Sequence, residues 1–256
     1  MTDLWADRSF LRDVQYRSDA NLAARQSIYA YQHPRIDLAA RVLDLADLPA
    51  ADVVADVGCG NGAYLAELTR RGFAGRRLGI DLSPGMVAAA RPRAPAAGLA
   101  VADVCGLPLR DGAAGLTLAM HMLYHVADPA AAVRELRRVT RPGGVVIVGL
   151  NGSGHLRELR RVIEQAGLGY PRERVSLDDG EALLRAAFTT VIRHDFPAEL
   201  RLPGPATVAD YVRSISEARA SADPEAVVRD ITARIFPDET AGSFTVTTHA
   251  GCLVCA

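Results

Sequence analysis

The chain has 256 residues and a mass of 27.3 kDa, enough for one large domain with a substantial core. Hydrophobic residues make up 49% of it and charged residues 23%, a composition typical of a folded globular protein rather than a disordered one. Its 29 basic residues, all arginine, are balanced by 30 acidic ones, and this net charge of −1 argues against a nucleic-acid or anionic-membrane partner.

No stretch of the sequence approaches the roughly 18 consecutive apolar residues that a membrane-spanning helix needs. The first ten residues lack the apolar core of a secretory signal. The four cysteines, Cys59, Cys105, Cys252 and Cys255, have no spacing that indicates a disulfide framework. We therefore expect a cytoplasmic protein.

The first fifty residues are predicted to form a helical N-terminal cap. Residues 21–31 contain neither glycine nor proline. Residues 36–48 repeat apolar side chains at helical spacing. We expect this cap, residues 1–50, to precede the main domain, residues 51–256.

From residue 51, short apolar runs alternate with helical segments. The runs lie at 53–57, 77–81, 99–103, 116–122 and 145–150, with helical patterns between them at 63–71, 84–91 and 130–140. Strands that alternate with helices predict right-handed crossovers and a parallel sheet covered by helices on both faces.

The end of the sequence departs from this alternation. Helices predicted at 155–166 and 179–187 lead to a sixth strand near 189–195. Residues 197–240 then hold three prolines near their start and further helical segments, before a last strand at 244–255. We interpret 197–240 as a helical insertion, which is a natural place for a lid or a substrate-recognition element.

The sharpest motif is the run DVGCGNG at residues 56–62, which follows a predicted strand and opens a predicted helix. Glycines here allow a tight turn and let a ligand lie against the backbone. The same glycines fit a dinucleotide fingerprint. However, the carboxylate of Asp56 would repel a pyrophosphate and attract the ammonium group of a ligand.

This loop and the residues after it resemble class I S-adenosylmethionine-dependent methyltransferases over residues 50 to about 155. Asp81 ends the second predicted strand, where that family has an acid that binds both ribose hydroxyls. Leu82 and Met86 match positions that pack on adenine, and Asp103 with Val104 matches the acid that receives the adenine amino group. The cofactor-binding residues that this resemblance implies are Asp56, Gly58, Cys59, Gly60, Asp81, Leu82, Met86, Asp103, Val104 and Met120.

The resemblance implies an α/β fold with a Rossmann-like, mostly parallel sheet of seven strands, the last of them antiparallel. It also implies S-adenosyl-L-methionine as the cofactor and S-adenosyl-L-homocysteine as its product. Each acid has a plainer alternative: Asp81 could cap the helix that begins at Pro84, and Asp103 could form a loop turn. Three acids at successive strand ends beside one glycine loop favour the cofactor site.

The methyl acceptor is expected beyond the fourth predicted strand, where residues 118–129 are LAMHMLYHVADP. Related methyltransferases of small molecules show a similar pattern. Because a hydroxyl acceptor must lose a proton, His125 and His121 are candidate general bases, although a histidine at a strand end often only binds a backbone carbonyl. The candidate substrate contacts are Tyr16, Tyr29, His33, Tyr124 and Asn151.

These residues predict methyl transfer to a small molecule, with oxygen or nitrogen favoured over carbon, in biosynthetic tailoring. No metal is expected, because no carboxylate cluster follows the fourth strand and the C-x-x-C at Cys252 and Cys255 has no second pair. Two alternatives stay open: an NAD-dependent oxidoreductase, and an enzyme such as a pericyclase that binds the cofactor without methylating. The sequence does not indicate the oligomeric state.

Overall fold

The computed structural model describes residues 7–170, 174–238 and 242–256. Within them, one sheet holds eight strands in the order β1-β7-β8-β6-β5-β2-β3-β4. The strands are β1 (Gln32–His33), β2 (Val53–Val57), β3 (Arg76–Asp81), β4 (Gly98–Val101), β5 (Ala114–Met120), β6 (Thr140–Asn151), β7 (Val191–Leu202) and β8 (Phe244–Cys255).

The pairing of the strands confirms the predicted fold class. Strands β4, β3, β2, β5 and β6 pair in parallel, in that order. The last strand, β8, is antiparallel to both of its neighbours, β6 and β7. The sheet has one strand more than the seven predicted, because β1 pairs antiparallel with β7. A strand of two residues is too short to show any periodicity in a sequence.

Helices connect the strands and cover the sheet. They are α1 (Arg8–Phe10), α2 (Ala20–Ser27), α3 (Leu38–Leu43), α4 (Ala63–Arg70), α5 (Pro84–Ala90), α6 (Pro129–Val139), α7 (Arg157–Gln165), α8 (Leu177–Arg185), α9 (Pro205–Arg213), α10 (Ser216–Arg219) and α11 (Pro224–Ile235). Local chemistry fixes where α5 and α6 begin. Ser83 and Asp128 accept backbone N–H groups of the first turn, and proline follows each of them.

The central strands are buried on both faces. Leu116, Leu118 and Ile147 belong to the apolar cluster on one side of the sheet. Ala119 and Val148, which alternate with them along β5 and β6, belong to the cluster on the other side. This explains why these strands are continuous apolar runs in the sequence instead of alternating ones.

Strand β7 extends to Leu202, beyond the predicted end near residue 195. It passes through Pro197, which has no N–H to donate to a neighbouring strand. Strand β1 pairs only with Leu200 and Glu199, so β7 is an edge strand at Pro197 and the proline is tolerated there. The first helix of the insertion begins at Pro205, after the proline-containing start of the segment. Residues 1–6 of the predicted cap and 239–240 of the predicted insertion lie outside the described residues.

Helices α9 and α11 share an apolar cluster with the N-terminal segment and with the sheet. Ile28, Val208, Val212, Ile231 and Val246 are all fully buried in it. Because these helices follow the carboxyl end of β7, the cluster lies at the edge of the sheet where open α/β folds bind ligands. The N-terminal segment and the insertion are thus packed against each other beside that edge.

We expect Ile231→Ala to lower the free energy of unfolding by about 2–5 kcal/mol, since it removes a fully buried side chain from this cluster. The matched control is Ile192→Ala on β7, where the side chain is 52% exposed and the expected loss is under about 1 kcal/mol. Urea unfolding of both variants measures the difference. Equal losses would mean that this cluster does not stabilise the fold.

Candidate active site

A cavity of about 510 Å³ lies at the carboxyl ends of the parallel strands. Its volume is in the range of small-molecule sites. The loop after β2 and the end of β3 form one part of its wall, and the residues after β5 and β6 form another. The N-terminal segment contributes Tyr16 and Tyr29.

The loop after β2 exposes its backbone to the cavity. Gly58 and Gly60 have φ angles of +71° and +52°, in the left-handed region that glycine adopts without strain. A Cβ atom at Gly58 would lie 2.7 Å from the side chain of Met122. Two backbone hydrogen bonds hold the loop against β3: the carbonyl oxygen of Ile80 accepts the N–H groups of Gly58 and Cys59 at 2.7 and 3.0 Å.

Asp81 ends β3 and joins it to the glycine loop. Its Oδ2 accepts the N–H of Gly60 at 2.8 Å, and its Oδ1 accepts the N–H of Ser83 at 2.9 Å. Burial raises the pKa of this carboxyl, and these bonds oppose the rise. The cap of α5 is the hydroxyl of Ser83, so Asp81 is not the cap that the plainer alternative required.

Two polar side chains at the glycine loop are buried without a hydrogen-bond partner among the described residues. One is Asp56, whose two carboxyl oxygens lack a partner, and the other is Asn61, whose amide nitrogen lacks one. Asp56 does not line the cavity itself, but it directly precedes Val57 and Gly58, which do. Burial, together with the negative charge of Asp81, raises the pKa of Asp56 to about 8.

Such unsatisfied groups are destabilising, because a buried carboxyl without a partner costs free energy in either protonation state. A ligand with a cationic group near the glycine loop would relieve that cost at Asp56. The methionyl ammonium of S-adenosylmethionine is such a group. The residues present therefore fit the cofactor that the sequence resemblance implies.

The residues predicted to contact adenine also line the cavity: Leu82, Met86, Asp103 and Val104. Asp103 accepts the N–H of Cys105 at 2.8 Å, so it does form the local turn of the alternative interpretation. It also forms an ion pair with Arg8 at 2.7 Å. Arg8 has no motif of its own and was missed in the sequence.

His121 follows β5 in an unusual backbone conformation. Its φ of +52° is in the left-handed region, which residues other than glycine adopt at a cost and which is frequent at functional sites. Its Nε2 is buried and has no hydrogen-bond partner among the described residues. Burial lowers the pKa of His121 to about 4, so the imidazole is neutral near pH 7 and able to accept a proton.

His125 forms a hydrogen bond with the side chain of Tyr16. Its Nε2 lies 2.9 Å from the hydroxyl of Tyr16. The ring of Tyr124 packs edge-on against His125, with ring centroids 4.6 Å apart. Burial raises the pKa of Tyr16, which keeps its hydroxyl protonated. His125 is therefore part of a contact between the N-terminal segment and the loop after β5.

A second histidine–tyrosine pair lines the same cavity. The Nδ1 of His155 accepts the backbone N–H of His249 at 3.0 Å. The proton of the neutral ring is then on Nε2, which donates to the hydroxyl oxygen of Tyr29 at 2.9 Å. Burial lowers the pKa of His155 to about 3 and so keeps the ring neutral. No motif in the sequence indicated His155.

The structure brings most of the predicted site residues together. Every predicted cofactor residue except Asp56 lines the cavity, and so do both candidate bases. Among the predicted substrate contacts, Tyr16, Tyr29, Tyr124 and Asn151 line it and His33 does not. His33 is exposed on the edge strand β1 and lies outside this cavity. Cavity residues that the sequence did not indicate include Arg8, Tyr64, His155, Tyr170, Phe196 and Tyr211.

Neither a metal centre nor a membrane span is present in the described ranges. No group of three or more metal-ligating side chains comes together in this part of the chain. Cys252 and Cys255 are buried free thiols on β8. None of the helices within these same ranges has both the length and the apolar character needed to cross a bilayer.

Comparison with known proteins identifies relatives of the chain. A family model described as a methyltransferase domain matches residues 55–148. An uncharacterised methyltransferase of Mycobacterium bovis is 30% identical over 182 residues, which cover 70% of this chain and 70% of that protein. The malonyl-[acyl-carrier protein] O-methyltransferase of Serratia marcescens is 29% identical over 187 residues, covering 70% of this chain and 68% of that one.

The fraction of each chain that the match covers differs from one relative to the next. The chain spans 32% of a transposon-encoded protein of Streptomyces fradiae, to which it is 41% identical over 112 residues. The solved structure of the YcgJ protein of Bacillus subtilis has a TM-score of 0.60 and 17% identity, with coverage of 84% of this chain and 96% of that one. At this identity the likeness shows the fold.

We expect S-adenosylhomocysteine, which keeps the methionyl ammonium, to bind more tightly as the pH rises from 6 to 8. The carboxyl of Asp56, whose pKa is raised to about 8 by burial and by Asp81, must lose its proton before it can pair with a cation. Calorimetry should show a gain of up to about fiftyfold over these two pH units, with proton release, because the ionised fraction of a carboxyl with a pKa of about 8 rises from about 1% at pH 6 to about half at pH 8.

The variant Asp56→Asn should remove this pH dependence, because it leaves no proton to release. The control is Asp52→Asn, which changes an exposed carboxyl at the start of β2 and should keep the pH dependence. An unchanged slope in Asp56→Asn would show that another group governs it.

Proposed function

Because the chain belongs to the class I S-adenosylmethionine-dependent methyltransferases, we propose that it methylates an oxygen or nitrogen atom of a small molecule in a biosynthetic tailoring step. The observation that carries this proposal is a single cavity, which joins the glycine loop and Asp81 to His121 and the tyrosines of the N-terminal segment. A cofactor and an acceptor could meet in it.

In this proposal, the glycine loop and Asp81 hold the methionyl and ribose parts of the cofactor, and Leu82 and Met86 pack on its adenine. The carboxylate of Asp103 receives the adenine amino group. The bound cofactor supplies a methyl carbon that its sulfonium has already activated for displacement. Proximity and alignment can then account for much of the acceleration.

His121 is the group that takes the proton of the acceptor. Its Nε2 is buried, lines the cavity and has no hydrogen-bond partner among the described residues. The low pKa keeps it unprotonated at neutral pH, which a base requires. His125 has its Nε2 on the hydroxyl of Tyr16, so its role is to position Tyr16 at the cavity wall.

The cavity volume and its enclosure by the N-terminal segment support a small acceptor. The Serratia relative is named as an O-methyltransferase, and this supports oxygen as the methylated atom. The test is incubation with methyl-labelled cofactor and candidate acceptors, followed by the intact mass of the products. A product that carries the label supports the proposal, and conversion of the acceptor without label would indicate a non-methylating enzyme instead.

A thermal-shift experiment tests the oxidoreductase alternative. S-adenosylhomocysteine should raise the unfolding temperature because it binds the folded state, whereas NADH should not. Asp81→Ala serves as the control, since it removes hydrogen bonds to Gly60 in the cofactor part of the cavity and should diminish the shift. Stabilisation by NADH alone would contradict the proposal.

We expect His121→Ala to lower turnover by roughly 10²–10⁴ while leaving the affinity for S-adenosylhomocysteine nearly unchanged, because proton removal matters in the transition state. His125→Ala should cost less, and His33→Ala, outside the cavity, should cost nothing. Since the pKa of His121 is about 4, kcat should stay flat as the pH falls from 7 to 5.5. Full activity of His121→Ala would show that His121 is not the base.

We expect EDTA to leave turnover intact. In the described part of the chain, the side chains around the cavity offer no carboxylate cluster that would hold Mg²⁺. The measurement is labelled-methyl transfer before and after chelation, with the metal added back. A loss that Mg²⁺ restores would show that a metal orients the acceptor.

A further inference from the structure

Two tyrosine hydroxyls meet at the cavity wall beside the insertion. Tyr211 lies on α9 and Tyr170 follows α7, and their hydroxyl oxygens are 2.7 Å apart. Both residues line the cavity. Tyr211 is buried and Tyr170 is partly buried. We refer to these two hydroxyls as the tyrosine pair.

The tyrosine pair has one hydrogen-bond donor that its own bond does not use. A phenol has a single O–H group, and one of the two O–H groups is used in the bond between the hydroxyls. Neither hydroxyl makes another hydrogen bond to a described residue. The second O–H is therefore available to a ligand in the cavity. Because its oxygen already accepts a hydrogen bond, this O–H is polarised and donates more strongly than that of a lone phenol.

The surroundings of the tyrosine pair favour a ligand oxygen that gains negative charge. Burial raises the pKa of Tyr211 well above its usual value, so this hydroxyl stays protonated near pH 7. The guanidinium carbon of Arg160 lies 4.9 Å from the centre of the Tyr170 ring, and its positive charge acts on the same region. A protonated donor beside a cation stabilises charge that builds up on a bound oxygen during a reaction.

His121 places a second requirement on the acceptor. Its pKa of about 4 makes the neutral ring a weak base, and the efficiency of a general base depends on the acidity of the group that it deprotonates. An ordinary phenol, with a pKa of about 10, is about a million times weaker as an acid than the protonated ring. Conjugation with a carbonyl group makes a hydroxyl more acidic, because the charge of the resulting anion is shared with the carbonyl oxygen.

We propose that the methyl acceptor is an enol or phenol conjugated to a carbonyl group, and that the tyrosine pair binds the carbonyl oxygen. This inference rests on the proposed methyl transfer and assigns it to an oxygen atom. The hydroxyl proton passes to Nε2 of His121 as the hydroxyl oxygen bonds to the methyl carbon. The bond from that carbon to sulfur breaks, and its electron pair stays on sulfur. Until the new bond forms, the tyrosine pair stabilises the charge shared with the carbonyl oxygen.

The competing interpretation of the tyrosine pair is a purely structural one. The bond between Tyr170 and Tyr211 also links the segment after α7 to the insertion. If that is its whole role, loss of the hydroxyls lowers the unfolding temperature and leaves the relative affinities of different ligands unchanged. If the tyrosine pair binds a carbonyl, those relative affinities change as well.

The test uses the full chain saturated with S-adenosylhomocysteine, with 2- and 4-hydroxyacetophenone and the matching ethylphenols as probes. Each ethylphenol keeps the ring, the hydroxyl and the two-carbon side chain but lacks the carbonyl oxygen. By calorimetry, at least one hydroxyacetophenone should bind about three- to tenfold more tightly than its ethylphenol, as expected for one hydrogen bond. Tyr170→Phe and Tyr211→Phe should each reduce this preference, and the double variant should abolish it. Tyr31→Phe, at an exposed position outside the cavity, should retain all of it.

Two results would overturn the proposal. One is a panel in which no hydroxyacetophenone binds more tightly than its ethylphenol. The other is a preference that survives in a double variant whose unfolding temperature shows it to be folded. If the double variant does not fold, an unchanged preference in both single variants has the same meaning. A preference that depends on the tyrosine pair, in a protein that transfers no label to any acceptor, would instead count against the proposed function alone.

Discussion

The hydrogen bond between the carboxylate of Asp81 and the N–H of Gly60, 2.8 Å long, joins the end of β3 to the loop after β2. The loop depends on it because glycines in left-handed conformations have little preference of their own for one shape. The carbonyl oxygen of Ile80 holds the same loop from the preceding residue of β3. The backbone of the proposed cofactor site is thus held by hydrogen bonds within the protein itself.

An electrostatic cost at Asp56 accompanies this loop. Asp56 is buried beside the loop, close enough to Asp81 for the two negative charges to repel each other. Burial and this repulsion both disfavour the ionised carboxyl, and a cation bound there would, on our proposal, offset that cost. His121 follows the same principle, because its strained backbone and unsatisfied Nε2 lie where the acceptor is proposed to bind.

The rest of the cavity is assembled from segments that are far apart in the chain. Tyr16 reaches it from the N-terminal segment, whose backbone carbonyl at Tyr16 accepts the hydroxyl proton of Ser83 at 2.6 Å. Tyr211 and Ser214 come from the helices inserted between β7 and β8. The strand ends therefore form most of the part that we assign to the cofactor and contribute His121 to the part that we assign to the acceptor, whose remaining wall comes from the added segments. In such an arrangement specificity can change without any change of fold.

The sequence by itself determined the features that depend on neighbouring residues. Apolar runs predicted the central strands, and Asp81 stood at the end of a predicted strand beside the glycine loop. The roles of these residues came from the resemblance of the sequence to a known family and not from the spacing of the residues.

Only the tertiary structure decided what depends on distant contacts. It paired Tyr29 with His155, which is 126 residues away, and Arg8 with Asp103. It extended β7 through Pro197 and turned His33 outward on a strand of two residues. Periodicity is local, whereas these pairings depend on which surfaces meet when the N-terminal segment and the insertion pack against the sheet.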